Sequence, residues 1–97
     1  MARSIAYSVY ILSNKHKTVF YVGVTSNLES RMAQHKSGEG SRFTAKYNCD
    51  LLLYYEDYTD IRNAIAREKQ LKKWKKEWKL ELIKKENPEL KDLAMEW

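Results

Sequence analysis

Two short runs, Ala6 to Leu12 and Val19 to Val24, carry Val, Ile, Tyr and Phe at the density that suits pleated strands. The polar segment between them, SNKHKT, holds no apolar side chain and reads as a hairpin loop. Setting Ser13 opposite Thr18 closes a four-residue loop. Tyr10 then faces Tyr21, Leu12 faces Val19 and Ser8 faces Gly23. Alternation sorts these side chains onto two faces. Val9, Ile11, Phe20, Val22 and Val24 make one wholly apolar face, expected to be core. Ser8, Tyr10, Leu12, Val19 and Tyr21 share the other, where two phenols stand together and Gly23 leaves open space beside them.

The period changes after Thr25. Ser26 with Glu29 reads as a capping box, and Asn27 supports the same helix start. Leu28, Arg31, Met32 and His35 then fall on one side, so a guanidinium lies on the stripe that should face the sheet, with His35 one turn away. Ser37-Gly38 ends this helix. Lys36 to Asn48 holds two of the three glycines and reads as a loop. Leu51 to Tyr58 predicts a buried third strand, and Asp60 caps a helix beginning near Ile61.

On that helix Ile61, Ala64, Ile65, Glu68, Leu71 and Leu82 cluster on one arc, with Glu68 at its centre. A straight helix would also bury Lys72, Lys75 and Lys79, which is untenable. A break is therefore expected around Lys73–Lys76, with a second helix from Glu77 to Glu86 ending at Asn87-Pro88. Leu90, Leu93 and Met95 predict a closing turn packed back on the rest. The architecture expected is α+β: a small three-stranded antiparallel sheet, hairpin plus third strand, flanked by helices in a single domain over residues 1–97.

Charge adds direction to this picture. The chain carries a net +5, and residues 69–85 hold eight lysines against Glu77 and Glu81, leaving the remainder near neutral. A basic segment on a balanced domain marks either a polyanion footprint or a solvated helix face. Trp74 and Trp78 within it tilt the reading toward a contact surface, with Trp78 expected as a core anchor. Arg42, Phe43, Lys46 and Tyr47 likewise interleave charge with stacking surface, which suits a nucleic-acid backbone. No apolar run approaches 18 residues, and the first residues do not lead into a signal-peptide core, so a cytoplasmic protein without a membrane span is expected. Cys49 stands alone, which excludes an internal disulfide and suits a reducing compartment.

Ser8-Val9-Tyr10, then Tyr21-Val22-Gly23, then Thr25, Leu28, Arg31, His35 and the later Glu68 together resemble the GIY-YIG nuclease module. Ser and Val replace the first two residues of the leading triplet, and Val replaces Ile in the second. FTAKY (Phe43–Tyr47) and REKQLKKW (Arg67–Trp74) are similar to stretches of small stand-alone bacterial members. The resemblance implies a Mg²⁺- or Mn²⁺-dependent endonuclease acting on nucleic acid, DNA ahead of RNA, in repair or recombination. It implies catalytic roles for Tyr10, Tyr21, Arg31, His35 and Glu68, with Glu68 as the metal ligand. Arg42, Lys46, Tyr47, Lys72, Lys73 and Lys76 are the expected nucleic-acid contacts.

The chemistry agrees with the residue types. Phosphodiester hydrolysis needs an activated water, a metal or cation on the phosphoryl oxygens, and a fixed donor where negative charge grows. A lone carboxylate leaves Mg²⁺ most of its waters, so weak binding before substrate arrives is expected. The position after the second triplet, where some members carry a Lys, is Val24, so charge assistance from that side is absent. By the same resemblance, Asn87 is a candidate neighbour of the metal. On residues alone, Glu68 fits a salt bridge to Arg31 as well as a metal site. Two other functions fit the chain: a nucleic-acid-binding module with a degenerate site, and a Lys/Trp-helix protein-interaction domain. A monomer is expected, with specificity supplied by substrate shape or by a protein partner.

Overall fold

The structure is a computed structural model, described here for residues 6–95 and 97. Strand β1 (Tyr7–Ser13) is central, with β2 (Phe20–Thr25) on one side and β3 (Leu51–Tyr58) on the other, all antiparallel. Helices α1 (Leu28–Lys36) and α2 (Arg42–Tyr47) link the hairpin to β3, and α3 (Ile61–Lys73) and α4 (Lys76–Glu86) follow it. The α+β architecture expected from the patterning is the one found.

The hairpin register differs from the expected one by two residues. Tyr10 lies opposite Gly23, Leu12 opposite Tyr21 and Ser13 opposite Phe20. Asn14 sets the longer loop: its side-chain oxygen accepts from the backbone N–H groups of Thr18 and Val19, and its amide donates to Thr18 Oγ1. A shift of two preserves the faces. Val9, Ile11 and Val22 therefore lie in one core with Leu53, Tyr54, Ala64, Leu71 and Ile83. Tyr10 and Leu12 lie in a second, with Met32, Cys49, Leu52 and Ala94, and Tyr21 packs against it. Both faces of the sheet are thus covered. The β1–β3 pairing slips between Ile11 and Leu12, so consecutive residues Leu53 and Tyr54 both join the first core.

The first helix is capped by Asn27, whose side chain accepts from Ser30 N, while Thr25 Oγ1 accepts from Asn27 N. The expected Ser26–Glu29 box does not form, because the one-residue-later start leaves Ser26 outside the helix. Residues 36–48 are not all loop. Ser41 caps the six-residue α2 by accepting from Thr44 N, and Asn48 ends it in the left-handed conformation. Gly38, with φ of 85°, closes α1 as expected.

The helix break falls at Trp74–Lys75, inside the expected window. The apolar arc of α3 is narrower than expected, for Ala64 and Leu71 are buried but Ile61 and Ile65 are exposed. The two tryptophans exchange roles: Trp74 packs against the first core, whereas Trp78 is half exposed and meets Trp74 edge-on. In the closing segment Ala94 is buried and Leu90 packs on the first core, but Met95 is exposed.

Two polar devices fix the frame around the later helices. Glu56 on β3 accepts from Arg67 Nε and Nη2, both at 3.0 Å, and from the hydroxyls of Tyr58 (2.7 Å) and Tyr54. Burial works against its ionisation, yet Arg67 and the two phenols hold its carboxyl below the ordinary range. Arg67 precedes Glu68, so this clamp sets the rotation of α3. Asn87 is the second device. Its amide donates to Leu53 O and Lys91 O, and its oxygen accepts from Lys91 N.

Candidate active site

Four of the expected residues gather on the Tyr10 face of the sheet. Tyr10 is 1% exposed, and its ring crosses the hairpin over Gly23, where only a missing Cβ leaves room. Its hydroxyl stands 3.0 Å from His35 Nε2. His35 projects from α1 and is buried as well, with Nδ1 3.0 Å from Thr44 Oγ1. Gly40 closes over the imidazole. Tyr21, from β2, meets Tyr10 edge-on at 6.3 Å and His35 at 5.6 Å, but it is only half buried.

Donor bookkeeping fixes the proton positions. His35 is neutral at pH 7, because burial first, and the Arg31 charge second, bring its pKa down to about 4. The buried Tyr10 hydroxyl has His35 Nε2 as its acceptor, so Nδ1 carries the imidazole proton and donates to Thr44 Oγ1. The Thr44 hydroxyl in turn reaches Ser41 O at 3.3 Å.

Arg31 is the odd guanidinium of α1, and the structure supplies its surroundings. Nη1 donates to Gln34 Oε1 at 2.8 Å, and the group faces the phenols of Tyr10 and Tyr21. Interaction with the Tyr10 phenol is the main influence holding the Arg31 pKa above its ordinary value. The Tyr10 phenol is pushed up chiefly by burial. Arg31 pulls it the other way, while the charges of Tyr21 and Glu68 push it further up.

Glu68 arrives from the other side. Its helix packs on the first core, and its charge is the smallest of the influences that raise the Tyr10 pKa. The carboxylate is mostly sheltered and pairs with the more exposed Lys72 at 3.0 Å. The Arg31–Glu68 ion pair that residue types alone allowed is not formed. No three His, Cys, Asp or Glu side chains cluster among the described residues, so Glu68 is a single carboxylate rather than part of a closed cage.

The matching family model is the GIY-YIG catalytic domain, over residues 6–87. The chain belongs to the GIY-YIG family. Its relatives include a UPF0213 protein of Syntrophus aciditrophicus, 39% identical over 84% of this chain and 92% of that one. A UPF0213 protein of Staphylococcus haemolyticus is 33% identical over 77% and 90% of the two chains. The solution structure of the UPF0213 protein BH0048 from Bacillus halodurans has the same fold, with a TM-score of 0.57 at 23% identity over 90% of this chain and 92% of that one.

This GIY-YIG domain disperses the expected nucleic-acid contacts. Arg42, Lys46 and Tyr47 lie on the exposed side of α2, with the Lys46 ammonium 5.3 Å from the Tyr47 ring centre. Lys72 lines a cleft along β2. Lys73 is exposed, and Lys76 instead bonds Thr18 O at 2.9 Å, tying α4 to the hairpin loop. The residues missed from sequence were those behind His35. Ser41 three residues before Thr44 is a readable N-cap signal, but nothing local says that the same threonine faces an imidazole. No helix of the described residues is long and apolar enough to cross a membrane.

Proposed function

We propose that this chain is a metal-dependent endonuclease that hydrolyses DNA phosphodiesters to 5′-phosphate and 3′-hydroxyl ends. The observation that carries the reading is the buried Tyr10–His35 contact at 3.0 Å beside the Arg31 guanidinium, with Glu68 sheltered on α3. Such an arrangement is costly as a purely structural device. It places a guanidinium and a carboxylate near a half-open phenol, where phosphate charge can be met.

Tyr21 is the phenol with access to the cleft, so it orients the attacking water and, once its own proton has gone to solvent, takes the water's proton as the phenolate. Arg31 donates to the phosphoryl oxygens as negative charge grows on them. Tyr10 and His35 act from behind: they hold Arg31 and Tyr21 in place rather than touching water, which makes them positioning residues in place of the catalytic role expected of each. Glu68 fits a Mg²⁺ or Mn²⁺ ion, since it is one sheltered carboxylate whose present partner, Lys72, is exposed enough to swing away. A bound divalent ion would supply Lewis-acid charge to the phosphate.

The test is a panel of single-stranded, duplex and branched DNA, with RNA counterparts, incubated with Mg²⁺ or Mn²⁺. Wild type should cut at least one DNA structure, and Glu68→Ala or Arg31→Ala should lose cutting by roughly a hundredfold or more while still binding. Equal cutting by all three proteins would mean a contaminant and end the proposal.

A further inference from the structure

A cleft of about 460 Å³ runs along the outer edge of β2, lined by Phe20, Tyr21, Val22, Ser41, Phe43, Lys72 and Lys79. Its volume is within the range of small-ligand sites. Among the described residues no strand pairs with this edge of β2, which leaves backbone donors and acceptors along the cleft floor. One wall is aromatic: Tyr21 and Phe43 lie 5.9 Å apart and Phe43 and Tyr47 4.8 Å apart, with Phe43 44% exposed. The opposite wall is cationic. Lys72 is half exposed beside Glu68, and Lys79 is partly buried without an ion-pair or hydrogen-bond partner among the described residues. Desolvation lowers the Lys79 pKa, and an incoming anion would relieve that penalty.

We propose that this cleft binds one unpaired nucleotide of the DNA substrate, its base against Phe43 and its phosphate between Lys72 and Lys79. The inference rests on the endonuclease reading and adds a substrate class to it: DNA that offers a single-stranded or extruded base beside the cut. An aromatic face opposite two ammonium groups matches the two halves of a nucleotide. A base kept inside a duplex stack cannot present its face to Phe43. Continuity with the site supports the placement, because Tyr21 belongs to both. With water as the nucleophile the reaction needs no 2′-hydroxyl, so DNA suffices as substrate, and the RNA arm of the test checks the choice.

Binding is measured by fluorescence anisotropy in EDTA, so that no cutting occurs, with one sequence as single-stranded DNA, blunt duplex and single-stranded RNA. A 2-aminopurine in the single strand reports stacking. Single-stranded DNA should bind at least about tenfold tighter than duplex, with quenching of the 2-aminopurine. Phe43→Ala should weaken single-strand binding by roughly five- to a hundredfold and abolish the quench, with little effect on duplex. Phe43→Leu, which keeps an apolar contact with Tyr21, should also lose the quench if the alanine variant does not fold. Lys79→Gln should lower the salt slope for single strands by about 0.7.

Equal affinity for single strand and duplex, no response to Phe43 replacement, or tighter binding of RNA than of DNA would overturn the proposal. The two readings fail separately. A chain that never cuts yet shows these effects loses the nuclease and keeps the nucleotide site. One that cuts but ignores Phe43 does the reverse.

Discussion

A Cβ added to Gly23 would come within 2.5 Å of the Tyr10 phenol carbon and oxygen. The glycine is therefore needed for the space it leaves, since Tyr10 occupies that space and is anchored by His35 on its far side. Gly23→Ala should force the ring to tilt and break its bond to His35. The expected stability loss is about 1–3 kcal/mol, as for other overpacked sites. DNA cutting should fall by tenfold or more while the circular-dichroism spectrum of the folded protein persists. Unchanged melting and cutting would mean that Tyr10 relocates freely and does not organise the site.

Much of the frame was legible because it depends on patterns that act locally. The bounds of β3, the Asp60 cap and the break between α3 and α4 follow from a short leucine and tyrosine run, a capping carboxylate and the cost of burying lysines. The hairpin register was not legible, since Asn14 sets it through side-chain bonds to residues four and five positions on. Trp78 was misplaced because burial on α4 is decided by where the helix docks, and its own polar–apolar periodicity is weak. For the site, Arg31, His35 and Glu68 stood out as charged or titratable groups on apolar stripes. Their mutual arrangement did not, because it depends on α1 and α3 covering opposite faces of one sheet.

The depressed His35 pKa gives a stability signature in mild acid. Unfolded His35 titrates near 6.5 and folded His35 near 4. Between these values the unfolded chain binds more protons, so the contribution is full above pH 6.5 and is lost as pH falls toward 4. The total loss should be roughly 3 kcal/mol. Glu56 and Asp92, also held below their ordinary values of 4.5 and 3.8, lose their contributions at lower pH. Denaturant midpoints at pH 7.0 and 5.5 should therefore differ for wild type and converge for His35→Gln. A wild-type midpoint flat over that interval would contradict the buried, neutral imidazole.

Thr44 should act on the site only through His35. Replacing it with Val keeps the shape of a fully buried side chain but removes the acceptor for Nδ1–H. An unpaired buried donor costs about 1–3 kcal/mol, and moving the proton to Nε2 avoids that cost only by removing the acceptor for the Tyr10 hydroxyl. Thr44→Val should therefore shift the His35 ¹⁵N resonances toward the Nε2–H tautomer and reduce cutting several-fold with DNA affinity unchanged. Thr44→Ser, which restores the acceptor, should recover the wild-type resonances. If Val and Ser behave alike, the hydroxyl does not set the tautomer.

Asn87 separates a structural role from a metal-binding one. Its side chain makes three bonds to backbone groups of β3 and the closing segment, at 3.0, 2.8 and 3.1 Å. Those bonds use both amide hydrogens and the oxygen. A carboxamide so occupied is held in place by β3 and the chain around Lys91, with one oxygen lone pair left over. Asn87→Ala should leave Leu53 O and the Lys91 backbone without these partners, lowering stability by about 2–4 kcal/mol, since each lost partner in a buried site costs 1–3. Below the melting range, the Mn²⁺ concentration giving half-maximal cutting should stay within twofold of wild type. Glu68→Asp, which shortens the proposed ligand, should raise it without comparable loss of stability. A large rise in the Mn²⁺ requirement for Asn87→Ala at full folding would assign the residue to the metal site.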